Sequence, residues 1–171
     1  MKTIIHAILY SATVLLFLIV GCKDNKEPVE SGISGSIINI SECKNFKSRD
    51  LKFDTPDTFS CAHFNYDASN FDLIINHINS GFNCCPGGIH CKVSTHNDTI
   101  IIKEFENDQG CDCNCLFDLD IKLQGVEQNK YTVKFIEPYA IGQEELVFEM
   151  DLTSINEGEF CIIRKGYPWG E

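Results

Sequence analysis

The sequence predicts an all-β fold, an antiparallel β-sandwich stapled by disulfides, and three observations predict it. Short apolar runs recur about every ten residues with turn residues between them. No segment carries a convincing amphipathic helical pattern. Ten cysteines fall within 171 residues, a density that suits a cross-linked scaffold outside the cytoplasm. At 43% hydrophobic and 23% charged residues, the chain is neither a disordered polyampholyte nor a membrane bundle.

The first element is a leader. Lys2 precedes an apolar run from Ile4 to Val20 that only His6, Ser11 and Thr13 interrupt, the charged and hydrophobic regions of a secretory signal. A spanning helix needs about 20 apolar residues and is commonly followed by basic ones. This run instead meets Gly21-Cys22 and a mixed-charge stretch. Ile19-Val20-Gly21-Cys22 resembles a bacterial lipobox, in which small side chains admit a peptidase and the cysteine thiol becomes a thioether to diacylglycerol. The resemblance implies removal of residues 1–21 and acylation of Cys22, and two or more acyl chains make an essentially permanent anchor. Lys23, standing where an Asp would mark retention in the inner membrane, points to the outer membrane. Lys-Asp-Asn-Lys-Glu at 23–27 resembles the surface-export signals of Bacteroidota lipoproteins. With the leader gone, 13 basic residues face 25 acidic ones, a net charge of −12 against −11 for the whole chain. Nothing basic clusters, so nucleic acid is not an expected partner.

Residues 22–35 are expected to be the lipidated cysteine and a polar tether that cannot bury itself, and 36–171 one domain, a length that suits a single core. Apolar runs lie at 36–40, 60–66, 71–79, 88–95, 100–106, 115–123, 131–137, 145–152 and 159–164. Phe117, Leu119, Ile121 and Leu123 alternate with Asp118, Asp120 and Lys122, one face dry and one wet. Leu146, Phe148, Met150 and Leu152 repeat the pattern. His96-Asn97-Asp98-Thr99 reads as a tight hairpin in which Asn and Asp tolerate positive φ. Leu123-Gln124-Gly125-Val126 leading to Tyr131-Thr132-Val133 resembles the tyrosine corner of immunoglobulin-like sandwiches, where a tyrosine hydroxyl bonds back to the chain at a crossover.

Nine cysteines remain after Cys22. Cys91 shares a strand face with Ile89 and Val93 and is expected to be an unpaired, buried thiol. The other eight, Cys43, Cys61, Cys84, Cys85, Cys111, Cys113, Cys115 and Cys161, suffice for four disulfides, whose connectivity spacing alone does not fix. If residues 111–115 are extended, their three cysteines share a face about 7 Å apart, too far to bridge one another. Cys84 and Cys85 are then natural partners for two of them. The alternative is a soft-metal site for copper or zinc, or a thiol-redox centre, built from Cys84, Cys85, Cys111, Cys113 and Cys115.

No catalytic constellation is evident, so neither enzyme activity nor a cofactor is expected. His63, His77, His90 and His96 read as solvated sheet residues. Asp112, Asn114, Asp118 and Asp120 project opposite the cysteines, as a calcium ladder or, in the reading preferred, a solvated face. Asp98-Thr99-Ile100 matches the short acceptor pattern of Bacteroidota O-glycosylation at Thr99. Tyr167, Pro168 and Trp169 are expected to pack against the sandwich edge, with an exposed aromatic patch the alternative.

Taken together, Gly81-Phe82-Asn83-Cys84-Cys85-Pro86, the run from Cys111 to Asp118, Tyr131-Thr132-Val133, and Phe160-Cys161 through Tyr167-Pro168-Trp169-Gly170 resemble a family of cysteine-rich Bacteroidota lipoproteins, across roughly residues 81–170. The resemblance implies an extracytoplasmic immunoglobulin-like β domain and brings no substrate, activity or catalytic residue with it. The expected role is non-catalytic binding of a surface protein or glycan, or a structural role, on the outer membrane.

Overall fold

In the computed structural model, residues 32–44, 56–107 and 110–169 are described. They form nine strands: β1 (Ser34–Ile40), β2 (Phe59–Asp67), β3 (Asp72–Asn83), β4 (Ile89–His96), β5 (Thr99–Glu106), β6 (Asn114–Gln124), β7 (Lys130–Ile136), β8 (Val147–Asp151) and β9 (Glu157–Ile163). Each apolar run in the sequence corresponds to one of them. One sheet runs β1-β6-β3-β2-β9 and the other β4-β5-β7-β8. Their inward faces share a core that includes Leu73, Ile75, Ile100, Ile102, Leu119, Ile121, Val133, Phe148 and Ile162. The described fold is all-β, in two sheets, and cross-linked by cysteine.

The pairs are antiparallel except β5 with β7, which is parallel. The departure from an all-antiparallel arrangement follows from the path of the chain. After β5 it crosses to the other sheet as β6, then returns as β7, so one excursion restores its direction.

The 96–99 hairpin has two turn residues, and only Asn97 takes positive φ, at 52°. The Tyr131 hydroxyl faces the Glu127 backbone four residues upstream, and a second tyrosine, Tyr66, bonds to the same turn. Its buried hydroxyl donates to the Val126 carbonyl at 2.9 Å, beyond Gly125 at φ 75°. Tyr66 ends β2 at the same edge where β3 begins and β6 finishes, within reach of that turn. Tyr131, at the start of β7, is half-buried against the core.

Cys61 and Cys161 lie directly opposite each other on β2 and β9, with Cα atoms 4.1 Å apart, and form a disulfide that closes a separation of 100 residues. It clips the edge strand β9 to the sheet. Loops this long lose the most unfolded-state entropy on cross-linking. The double substitution Cys61→Ala/Cys161→Ala should lower unfolding stability in urea by about 3–5 kcal/mol. A loss under about 1 kcal/mol would show that β9 is held by its ladder and core contacts alone.

Candidate functional site

Motifs distant in sequence meet at one end of the sandwich. The last residues of β3 pair with the first of β6, Phe82 with Cys115 and Asn83 with Asn114, and the Cys84 amide continues the ladder to the Cys113 carbonyl at 3.0 Å. Asn83 organises the turn. Its Oδ1 accepts from the amides of Cys85 (2.9 Å) and Cys111 (3.0 Å), while its Nδ2 donates to the Cys111 carbonyl at 2.7 Å. The Tyr167 hydroxyl closes the end, accepting from the Asn114 amide at 2.9 Å and donating to its carbonyl at 2.6 Å.

Three disulfides gather here: Cys43–Cys115, Cys84–Cys113 and Cys85–Cys111. The Cys111 and Cys113 sulfurs are only 3.6 Å apart, because β6 begins at Asn114 and the chain bends at Asp112 where an extended strand was expected. The sulfurs of Cys43, Cys84 and Cys115 all lie within 4.8 Å of one another. Cys85 and Cys113 are exposed, Cys84, Cys111 and Cys43 half-buried, and Cys115 buried. In this oxidised form no thiolate is present to bind a soft metal. Cys91 is unpaired among the described residues and half-buried rather than fully enclosed. Burial, and then the charge of Glu104, pushes its thiol up to about 11, which keeps it protonated and unreactive.

Behind the disulfides lies a cluster that sequence reasoning missed. His77, Glu104, Glu137 and Arg164 have side chains no more than 2% exposed. His77 Nδ1 lies 2.7 Å from Glu104 Oε1 and its Nε2 3.0 Å from Ser60 Oγ. The Ser80 hydroxyl donates to the other Glu104 oxygen at 2.7 Å. Arg164 bonds Glu137 and the Glu144 carbonyl, and its guanidinium sits 5.1 Å from the Trp169 ring centroid. Trp169, fully buried, donates from Nε1 to the Asn79 carbonyl at 2.6 Å. A Cβ on Gly81 would stand 2.6 Å from the Trp169 ring, so only glycine admits the indole there. The tail therefore packs inward, with Tyr167 left exposed.

The cluster balances in formal charge, while Glu137 Oε1 and Arg164 Nε are buried without a hydrogen-bond partner among the described residues. Unpaired buried charges cost several kcal/mol each, but with His77 protonated two carboxylates face two cations. Burial alone would hold the His77 ring below its ordinary value. Glu104, by charge and hydrogen bond, and Glu137, by charge, outweigh that burial and the repulsion from Arg164, so the net direction is up. Burial lifts the Glu137 carboxyl even though His77 and Arg164 pull it down.

Ser60, His77 and Glu104 thus form a hydroxyl–imidazole–carboxylate row enclosed in the core, each at most 1% exposed. His77, Glu104 and Glu137 also offer donor atoms within 4.8 Å of one another. A cation there would compete with Arg164 for Glu137 and with the His77–Glu104 hydrogen bond. One signal could have revealed the cluster. His77 continues the inward alternation of Leu73 and Ile75, and Glu104 that of Ile100 and Ile102, so both fall on core faces.

The remaining predicted residues do not converge. His63 pairs with Glu159 at 2.9 Å on the surface, His90 accepts from Asn107 at 3.1 Å, and His96 is exposed. His77 alone departs from the solvated reading, because its strand face is the core face. Asp118 is held by Lys44 at 2.5 Å and Asp120 by Asn39 and Asn76, Asp112 is exposed and Asn114 half-buried. The carboxylates of Asp118 and Asp120 are thus committed to neighbours rather than to a calcium ladder. Thr99 opens β5, half-buried beside the hairpin. The leader, Cys22 and most of the tether lie outside the described residues. No family model matches the chain, and neither a curated protein nor a solved structure matches it.

A histidine whose folded value is raised holds its proton longer in the native state. Its stabilisation is complete below the ordinary 6.5 and is lost as pH rises through the folded value. An NMR titration should place the His77 ring midpoint above 6.5, and unfolding stability should fall with rising pH over the same interval. A midpoint at or below 6.5 would mean that burial outweighs the two carboxylates.

Proposed function

We propose that the chain is a lipid-anchored lipoprotein of the cell envelope whose disulfide-stapled sandwich has a non-catalytic binding or structural role. The observation that carries this reading is the coincidence of a lipobox-like Cys22 with eight of the nine other cysteines in disulfides. Such bonds persist in oxidising compartments and are rare in the cytosol. The acidic surface repels anionic lipid, so the acyl chains hold the domain at the membrane, on the outer membrane and displayed at the surface. Its kinship is with the cysteine-rich Bacteroidota lipoproteins described above and its sandwich is of the immunoglobulin-like kind.

For a binding role, the surface to search is the loop between β7 and β8. Ile141 stands 90% exposed there, beside a cavity of about 210 Å³ lined by Phe135, Ile136, Ala140 and Gln143. A surface protein or glycan is the ligand class expected. Thr99 at the hairpin is a position where a glycan on this chain would be tolerated.

Two measurements test the reading. Globomycin should make a diacylglyceryl-modified precursor that still carries residues 1–21 accumulate, and Cys22→Ser should abolish incorporation of labelled fatty acid into the chain. A soluble chain from residue 23, made in an oxidising compartment, should have a mass about 8 Da below its reduced value, with one thiol alkylated only on unfolding. Bound metal, with several cysteines alkylated only after chelation, would overturn the scaffold reading and favour a thiolate site.

A further inference from the structure

The three clustered disulfides differ from Cys61–Cys161, which stands apart on β2 and β9. They are graded from the surface inward. Cys85 is exposed, and its partner Cys111 places a sulfur 3.6 Å from Cys113. Cys113 is bonded to Cys84, and Cys84 lies within 4.8 Å of both sulfurs of the Cys43–Cys115 bond. Of all six, Cys115 is the most enclosed, at 3% exposure. Thiol–disulfide exchange needs a thiolate in reach of a disulfide sulfur. Attack at Cys85 frees Cys111 beside Cys113, and attack at Cys113 frees Cys84 beside the Cys43–Cys115 bond.

We propose that these disulfides form an intramolecular exchange chain, through which a dithiol in the surrounding medium, attacking at Cys85, reduces the interior Cys43–Cys115 bond, whose Cys115 sulfur is buried and whose Cys43 sulfur is half-buried. The donor thiolate bonds to Cys85 Sγ, the Cys85–Cys111 bond breaks, and Cys111 leaves as thiolate. Cys111 then bonds to Cys113, which breaks Cys84–Cys113 and frees Cys84. Cys84 bonds to Cys43, which breaks Cys43–Cys115 and leaves Cys115 reduced. The donor's second thiolate attacks its own sulfur in the mixed disulfide and releases Cys85. The donor departs as a disulfide, having given two electrons and two protons, and these end on the thiols of Cys85 and Cys115. The inner exchanges change no oxidation state overall. Attack of Cys84 on Cys115 instead of Cys43 gives the same balance, with Cys43 reduced.

The consequence is mechanical. Cys43 follows β1, and its bond to Cys115 ties that segment to β6, where the Lys44 amide also donates to the Leu116 carbonyl at 2.9 Å. The exchange moves the link of Cys43 from Cys115 on β6 to Cys84 in the turn after β3 or, when Cys84 attacks Cys115, leaves Cys43 free, so the segment that follows β1 changes its covalent partner or loses it. The inference goes beyond the scaffold role and does not depend on lipidation.

The test uses the full oxidised chain with one equivalent of dithiothreitol. Exchange is quenched within seconds by acid, free thiols are blocked with an isotopically light maleimide in denaturant, where Cys91 serves as the internal reference, and the rest take the heavy form after complete reduction. Light label should appear on Cys85 together with Cys115 or Cys43, while Cys84 carries the heavy form. Cys91 apart, light label confined to Cys85 with Cys111, or to Cys84 with Cys113, would overturn the proposal. In Cys84→Ser/Cys113→Ser the chain is cut, and the Cys43–Cys115 bond should be reduced at least tenfold more slowly than in the wild type. An unchanged rate would mean that the interior bond is reached directly. The wild-type labelling decides the question by itself if that variant does not fold.

Discussion

The cross-sheet pair of His77 and Glu104 is the constraint from which much of the architecture follows. His77 projects inward from β3 in one sheet and Glu104 inward from β5 in the other, so their 2.7 Å contact spans the core. An imidazole and a carboxylate cannot be buried there without partners. Ser60, Ser80, Glu137 and Arg164 supply them, and each is held by a different element. Arg164 follows β9, Glu137 follows β7, and the two serines lie on β2 and β3. The parallel pairing of β5 with β7 brings their C-terminal ends to the same end of the sandwich, which places Glu104 and Glu137 together.

The same end carries the disulfides because of one irregularity in β3. Its register with β6 shifts between His77 and Ser80, and Asn79 takes φ 62°. Beyond the shift Ser80, Gly81, Phe82 and Asn83 are all buried rather than alternating. Asn79 is fixed from several sides, with its side chain donating to the Pro56 and Phe59 carbonyls and accepting from Lys44, and its amide donating to Asp118. Its carbonyl receives the Trp169 indole. The bulge therefore connects the ionic cluster, the C-terminal tail and the cysteine-bearing turn through one residue.

Much of the fold was legible in the sequence because a half-buried strand writes its alternation directly into residue order. All nine runs became strands, and the Phe117–Leu123 and Leu146–Leu152 alternations point as their spacing says. Sheet membership was not legible. Whether β5 lies beside β7 depends on where β6 packs, which is a contest among long-range contacts. Tyr131 was legible as a corner tyrosine from its local sequence, while Tyr66, which bonds to the same turn from about 60 residues upstream, left no local signal. The histidines were weighed one at a time, which hides a cluster whose members are inward-facing positions of separate strands. The cysteines were legible as far as Cys91 being the odd thiol, the other eight being paired, and Cys84 and Cys85 facing the later trio. The bend at Asp112 that brings the Cys111 and Cys113 sulfurs together has no periodic signature.

Disulfides and buried charges do different work in this domain. A disulfide acts chiefly by restricting the unfolded chain and is indifferent to the finer arrangement of the core. A buried ionic cluster adds little net stability, since well-packed apolar residues of the same volume often do as well or better. What it adds here is discrimination among arrangements. Sliding β3 or β5 by one residue would turn His77 or Glu104 outward and leave the other charge unpaired in the core, whereas an apolar pair would tolerate the slip at far lower cost. We infer that the covalent ladder sets how stable the sandwich is and that the His77–Glu104–Glu137–Arg164 cluster sets which register of the two sheets is stable. Replacing His77 and Glu104 together by Leu and Met, with Ser60→Ala and Ser80→Ala so that no buried hydroxyl loses its partner, should then keep or raise the unfolding midpoint in urea. It should also broaden the amide spectrum of β3 and β5 through exchange between registers. A variant as stable as the wild type with equally sharp β3 and β5 resonances would show that the hydrophobic pattern fixes the register without the charges.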